Sequence, residues 1–458
     1  METLKLLIAV CIFIFAGWNI LYLISSKKNI LCFWEKIFAA YGLGIGFITL
    51  EMLSFYFLRI KFSIGLIIIP WVFLFLINSV IYFKKGGRAA DEIIPGSGGN
   101  IVLNIFLLSG IMIETIYAFF RALVKPMESY DAVAIYAIKA KALYLAGSIP
   151  GNFFTGTINL FAHPDYPLNI PLCETFIYLF LGSLNDQLVK IIFPLYFAGL
   201  LGLLYFVIRR FAGRTYALLF TFLLAAIPQF NAYATNGYLD LPLAYYCFAS
   251  AVFLFIWFED TSKAGLLFIS AVMAGLAGWT KNEGLMYCII NISLIAIFFV
   301  TNRKKGLVKR YFIYLSSYIF TIFAISLPWL WIKVSAHLVN SEINLSNLTP
   351  WYILSQYRRV WPIIYEFQKQ FLGPKKWNII WMIFIFLLIV KFKKIFSKDI
   401  RYATLFIFFS FGGYVLIYMI TSQDLAWHLS STGSRFLIHF LPVVIYWMAL
   451  LLKKDLDI

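Results

Sequence analysis

The stretch Pro171-Leu-Cys-Glu-Thr-Phe-Ile-Tyr-Leu-Phe-Leu-Gly-Ser-Leu184 decides how the rest of the chain is threaded. It is apolar, but its roughly 14 residues fall short of the about 20 that a membrane-spanning helix needs, so it reads as an interfacial or re-entrant helix. Basic residues collect in short cytoplasmic loops. If this stretch does not cross, Lys27/Lys28/Lys36, Lys84/Lys85/Arg88, Arg209/Arg210/Arg214, Lys263, Arg303/Lys304/Lys305/Lys309/Arg310, Lys391/Lys393/Lys394/Lys398/Arg401 and Lys453/Lys454 all share one side. They make up most of the 38 Lys and Arg. A crossing would split them. The stretch is therefore placed on the outer face, with the N-terminus outside and the C-terminus inside.

Around it lie thirteen runs long enough to span with some tilt: Leu4–Ile24, Ile37–Leu58, Phe62–Phe83, Ile101–Val124, Leu188–Ile208, Tyr216–Tyr233, Leu241–Phe258, Ala264–Trp279, Gly284–Val300, Tyr311–Trp331, Trp377–Val390, Tyr402–Ile420 and Phe436–Leu452. Composition agrees: of 458 residues 62% are hydrophobic and 13% charged, which excludes a single soluble globule. The net charge of +17 comes as small clusters between apolar runs, a membrane pattern rather than a nucleic-acid footprint. The first span lacks a basic lead and a small-residue cleavage site and reads as an uncleaved helix. No two of the five cysteines share an outer loop, so no disulfide framework is expected. The Gly/Pro-rich Pro95–Gly99 divides residues 1–95, a three-helix addition, from a membrane core over 96–458 with outer loops at 125–187 and 333–376.

Polar residues with chemical potential gather on the outer side. Glu128-Ser129-Tyr130-Asp131 opens a predicted surface helix, Ala132–Gly147, with Ile135, Ile138, Ala142 and Leu145 on one stripe and Lys139 and Lys141 beside it, near lipid phosphates. The plainer reading makes Asp131 an N-terminal cap. His163-Pro164-Asp165-Tyr166-Pro167 forms a rigid turn, since two prolines forbid a regular helix. It can present His163 and Asp165 to an acceptor or a divalent cation, or be a hydrogen-bonded turn.

Three short turns carry Asp240, Lys281 with Glu283, and Asp424–Arg435. Ionisable groups beside span ends usually have a reason to be there. Lys281 and Arg435 run against the inside preference, as fixed cations facing an anionic ligand would, or they pair with Glu283 and Asp424 or snorkel to head groups. Glu51 and Glu114 lie inside spans, where an acid is functional by default or a neutral, hydrogen-bonded group between helices; neither is read as catalytic. The loop 333–376 mixes Trp351, Tyr352, Tyr357, Trp361 and Tyr365 with Arg358, Arg359 and Lys369, either an interface belt or a cover for a lipid-linked sugar phosphate.

Tyr130-Asp131-Ala132-Val133-Ala134-Ile135-Tyr136, followed by His163-Pro164-Asp165-Tyr166-Pro167, Arg209–Arg214, Leu239-Asp240 and Gly278-Trp279-Thr280-Lys281, resembles the polytopic C-type glycosyltransferases. The likeness is to the bacterial branch with the aminoarabinose transferases and protein O-mannosyltransferases, and covers roughly 101–300. Ser434-Arg435-Phe436 is a weaker echo.

The resemblance implies an all-α polytopic fold with juxtamembrane helices in the first outer loop of the core. It also implies transfer of a sugar from a polyprenyl-phosphate donor to a lipid or glycan acceptor on the outer face of a bacterial inner membrane. Asp131 would be the catalytic carboxylate, Lys281 and Arg435, joined by Lys139, would bind donor phosphate, and Glu128, His163, Asp165, Tyr166, Asp240 and Glu283 would shape the acceptor side. Many members carry a second acid after the first, where this chain has Ala132. One displacement with Asp131 as base predicts inversion at the anomeric carbon. No nucleotide fingerprint is present and no organic cofactor is expected. The competing readings are an oligosaccharide ligase or polymerase using His428 and Arg435, and a lipid-linked sugar transporter, which should place its polar groups near mid-membrane.

Overall fold

The computed structural model describes residues 1–25, 30–84, 99–155, 162–302, 308–340 and 342–453. Lys27, Lys28, Lys85, Arg88, the linker residues 95–98 with the 95/96 boundary, Arg303 to Lys305 and Lys454 lie outside the described residues. Four helices come first: α1 (Glu2–Ser25), α2 (Phe33–Leu58), α3 (Ile64–Lys84) and α4 (Ile101–Val124). After them come a π-helical turn (Ala132–Ala137), α5 (Ile138–Ala146) and α6 (Asn169–Leu181). The central body holds α7 (Ile192–Arg209), α8 (Arg214–Ala225), α9 (Pro228–Tyr233), α10 (Asp240–Glu259), α11 (Ala264–Thr280), α12 (Gly284–Thr301) and α13 (Val308–Ser335). Short α14 (Pro350–Ser355), α15 (Val360–Phe371) and α16 (Pro374–Trp377) precede α17 (Ile380–Val390), α18 (Arg401–Ile420) and α19 (Leu425–Leu452).

Among the described residues ten helices are long and apolar enough to cross a membrane, and α6, α8, α11 and α17 are shorter apolar helices. Three expected elements differ in detail. The run Tyr216–Tyr233 divides into α8 and α9 because Pro228, which lacks an amide proton, opens a new helix. Ala132–Gly147 is not one α-helix but a π-helical turn leading into α5. Asp424–Arg435 is helix rather than turn: the Asp424 carboxylate accepts the Trp427 amide and starts α19 there, placing Arg435 three turns inside a 28-residue helix.

The short helix α6 behaves as its length requires. At its start Asn169 accepts from Thr49 of α2 and donates to Thr280 at the end of α11. At its finish the Leu181 carbonyl accepts from Lys5 at the start of α1. Both ends thus lie toward one end of the bundle, and the 13 residues of α6 do not reach the other. The opposite end is clamped by Glu35, which caps α2 through the Cys32 amide and receives two bonds from Arg210 at 2.7 and 2.6 Å.

The closest packing joins α1 and α2, where a Cβ added to Gly44 would fall 1.7 Å from the Phe13 carbonyl oxygen, and one on Gly17 1.8 Å from that of Ala40. Lipid tails are as apolar as side chains, so helices in a bilayer gain by such close approach rather than by escaping water. Gly412 in α18 has nothing within 4 Å of its added Cβ. Gly44→Ala is therefore expected to destabilise the protein by about 1–3 kcal/mol, seen as a lowered melting temperature in detergent, while Gly412→Ala leaves that temperature unchanged or slightly higher.

Candidate active site

At the end of the bundle where α6 begins and ends, four chain segments bring charged groups together. The Asp240 carboxylate, first residue of α10, is fully buried. Its Oδ1 receives Lys281 Nζ at 3.0 Å and His439 Nε2 at 2.8 Å, and Arg435 Nε reaches Oδ2 at 3.2 Å. The other end of Arg435 reaches Asp131, Nη1 to Oδ2 at 2.6 Å. Lys281 also pairs with Glu283 at 2.8 Å. Tyr238 lies under the guanidinium, ring centroid 4.8 Å from Cζ. Burial alone would push the Lys281 ammonium down, but Asp240 and Glu283 outweigh it and hold the pKa above the usual lysine value. The Glu283 carboxyl is likewise held below its ordinary range despite burial, chiefly by Lys281.

Behind Asp240 a relay of buried groups runs into the bundle. His439 Nδ1 meets the Tyr414 hydroxyl, and Tyr414 is 3.1 Å from the Tyr287 hydroxyl. With Tyr414 donating to Nδ1, the imidazole is the tautomer that donates Nε2–H to Asp240. His439 escaped the sequence reading, although its position four residues after Arg435 puts both on one helix face.

A second group adjoins the first. Lys139 was expected near lipid phosphates but is 2% exposed, donating to the His163 carbonyl at 2.6 Å with Nζ 6.0 Å from the Tyr166 ring. Burial pushes its ammonium down to about 7, against the pull of Asp165. The rings of His163, Tyr166 and Tyr136 stack in sequence, with centroids 4.6 and 6.3 Å apart. His163 Nε2 faces Glu342 at 4.0 Å, and burial followed by repulsion from Glu283 raises the Glu342 carboxyl above its usual range. Asp165 is buried, accepting from Asn282 at 2.8 Å with Lys333 at 3.7 Å. The Tyr136 hydroxyl and His163 Nδ1 are buried without hydrogen-bond partners.

The predicted site residues thus sort themselves. Asp131, Asp240, Lys281, Glu283 and Arg435 come together, and Lys139, His163, Asp165 and Tyr166 line the adjoining group. Glu128 stays apart, its side chain 59% exposed and 3.7 Å from Lys125. Asp131 makes no capping bond, its side chain being committed to Arg435. His163 and Asp165 face different partners, and among the described residues no three His, Cys, Asp or Glu side chains gather as metal ligands. His428 packs away on Thr421, 2.8 Å from its hydroxyl. Inside the bundle, Glu51 is bonded by Trp71 and Glu114 by Asn231.

The family model for dolichyl-phosphate-mannose-protein mannosyltransferases matches residues 163–331, the region that carries Asp240 and Lys281. Among solved structures, ArnT from Cupriavidus metallidurans bound to undecaprenyl phosphate shares the fold at a TM-score of 0.50 and 14% identity. The match covers 77% of this chain and 60% of ArnT. No curated protein sequence matches. The chain thus shares the fold of ArnT, an all-helical body with ten candidate membrane spans among the described residues.

The geometry separates two carboxylates by their structural roles. Removing one member of a buried charge set strands its partners, typically at about 3–5 kcal/mol. Asp240→Asn should therefore sharply lower the melting temperature and the yield of folded protein. Asp131→Asn, at a carboxylate 18% exposed and paired with Arg435 alone, should shift the melting temperature little.

Proposed function

We propose that this protein transfers a sugar from a polyprenyl-phosphate donor to a lipid or glycan acceptor, at the Asp131 end of the bundle and by a single inverting displacement. The observation that carries the reading is Arg435 set between Asp131 and Asp240 with Lys281 alongside: a solvent-reachable acid next to fixed cations, at the end of a membrane-embedded body. ArnT, whose fold the chain shares, is described with undecaprenyl phosphate bound, which supports a donor of this kind. A bacterial inner membrane with the site facing outside fits the distribution of basic clusters.

In the proposed reaction Asp131 accepts the proton of the acceptor hydroxyl as its oxygen bonds to the anomeric carbon. The bond from that carbon to the phosphate oxygen breaks, and its electron pair leaves with polyprenyl phosphate. Arg435 and Lys281 stabilise the charge gathering on the leaving oxygen, the more strongly because water is excluded there. Tyr136, with its unpartnered hydroxyl, supplies a further donor toward substrate. Arg435 donates to Asp131 at 2.6 Å. A donor phosphate competing for the same guanidinium releases Asp131, so the base becomes available when the donor is in place.

The test is transfer by the purified protein in lipid, following release of free polyprenyl phosphate from a set of polyprenyl-phosphate sugars. Wild type is expected to release it from at least one donor and Asp131→Asn to be slower by about 10²–10⁴-fold; equal turnover by the two would remove Asp131 as base. Lys139 binds phosphate only when protonated, so donor affinity should fall as pH rises through about 7. Lys139→Gln should flatten that part of the KM profile, and an unchanged profile would take Lys139 out of the donor site.

A further inference from the structure

The turn of residues 236–239, between α9 and α10, touches every part of the Asp131–Arg435–Asp240 bridge. Asp240 follows it directly, and Tyr238 puts its ring under the Arg435 guanidinium at 4.8 Å. The turn is closed on itself, the Tyr238 amide donating to Asn236 Oδ1 at 3.0 Å. Gly237 faces the Asp131 side. Its φ of 83° lies in the left-handed region that side chains avoid, and a Cβ built on it falls 2.8 Å from the Cβ of Ala132, the residue after Asp131. The next atom that Cβ would meet is on Phe193 at 3.9 Å, an ordinary contact, so Ala132 sets how close the turn can come. Ala132 is itself fully buried at the start of the π-helical turn.

This spacing matters because a guanidinium is a planar fork of fixed dimensions. Arg435 places Nε on Asp240 at 3.2 Å and Nη1 on Asp131 at 2.6 Å, so the gap between two carboxylates on different segments must match the fork. Hydrogen bonds of this kind work over a range of about half an ångström. A Cβ at position 237 would have to part the two segments by about that much or more to reach ordinary contact in a close-packed interior. The displacement falls on Asp131. Asp240 is held to α11 by Lys281 and to α19 by His439, so it stays with the cations while the start of the π-helical turn gives way.

We propose, on the basis of the transfer reaction above, that Gly237 is a positioning residue for the Asp131 base. It lets the turn seat on Ala132, which keeps Asp131 within reach of Arg435 and then, when a donor phosphate has taken that guanidinium, of the acceptor hydroxyl. A side chain at 237 displaces the base and leaves the phosphate-binding cations in place.

The test compares wild type, Gly237→Ala, Ala132→Gly and the double variant, each full length in lipid, by release of polyprenyl phosphate, by binding of undecaprenyl phosphate in native mass spectrometry, and by melting temperature. An ångström of misplacement can cost about 10²-fold in rate, so Gly237→Ala should lower kcat by about tenfold or more. Its affinity for undecaprenyl phosphate should equal that of the wild type. Removing the Ala132 methyl clears the contact, so the double variant should regain turnover and melt above Gly237→Ala. Gly147 shares the positive φ, at 63°, but a Cβ there meets nothing within 4 Å. Gly147→Ala should therefore melt lower from backbone strain alone while keeping the wild-type kcat. Undiminished turnover by Gly237→Ala, a loss of undecaprenyl phosphate binding that matches the loss of rate, or a double variant that recovers neither rate nor melting temperature overturns the proposal. If the wild type releases polyprenyl phosphate from no donor, the transfer reaction fails on its own account, and a double variant no more stable than Gly237→Ala overturns the contact as well. Should Gly237→Ala not fold, Ala132→Val crowds the same contact from a helical residue and carries the same expectations for kcat and binding.

Discussion

The arrangement at the candidate site hangs on the Asp240 carboxylate. It has no access to water, yet it is met by Lys281, Arg435 and His439, so the first turn of α10, the end of α11 and two turns of α19 converge on a single negative group. An ion this deep is tolerated only when its lone pairs are taken up. The relay through Tyr414 and Tyr287 adds orientation: an imidazole that accepts a hydrogen bond from Tyr414 on Nδ1 donates its Nε2–H to Asp240, which keeps His439 aimed at that carboxylate. Five ionisable groups make up the cluster, three acids and two bases, so it holds one acid more than its bases balance.

That cluster exists only because the chain is threaded so that all its members reach the same end. The short helix α6 is the pivot. Asn169 ties its start to α2 and α11, and Lys5 ties its finish to the start of α1, so the segment carrying His163 to Tyr166 is pressed against the loop after α11. Asn282 of that loop then bonds Asp165, and Lys333 at the end of α13 reaches both. A crossing helix in place of α6 would send Lys281 and Asp131 to opposite ends. The architecture thus decides the chemistry by deciding which loops are neighbours.

Much of this was legible in the residues. Run length identified a polytopic helical chain and the shortness of α6, since both depend on local composition. Asp131, Asp240, Lys281 and Arg435 stood out because charge beside an apolar span is expensive. Burial was less legible. Lys139 sits on an amphipathic pattern that suits a membrane surface, but the π-helical turn before it and the His163 loop enclose it. Glu128 was expected to shape the acceptor side, yet three residues of chain before Asp131 are enough to point it to water. His439 was hidden because one histidine in an apolar helix acquires meaning only when Asp240 is seen opposite it, and Glu342 because its neighbours His163 and Thr421 are distant in sequence.

The same electrostatics suggest why a catalytic carboxylate would be stored in an ion pair. An exposed aspartate facing a phosphate-binding pocket would repel the anionic donor, and Arg435 free of partners would attract any passing anion. Held together at 2.6 Å, the two groups mask each other. A donor phosphate that displaces Asp131 from Arg435 exchanges one charge-assisted bond for another of similar strength, so the exchange costs little. What changes is Asp131, which loses its cationic partner and gains a nearby negative charge. In this reading the order of binding, donor and then acceptor, follows from sharing one guanidinium between the substrate and the base.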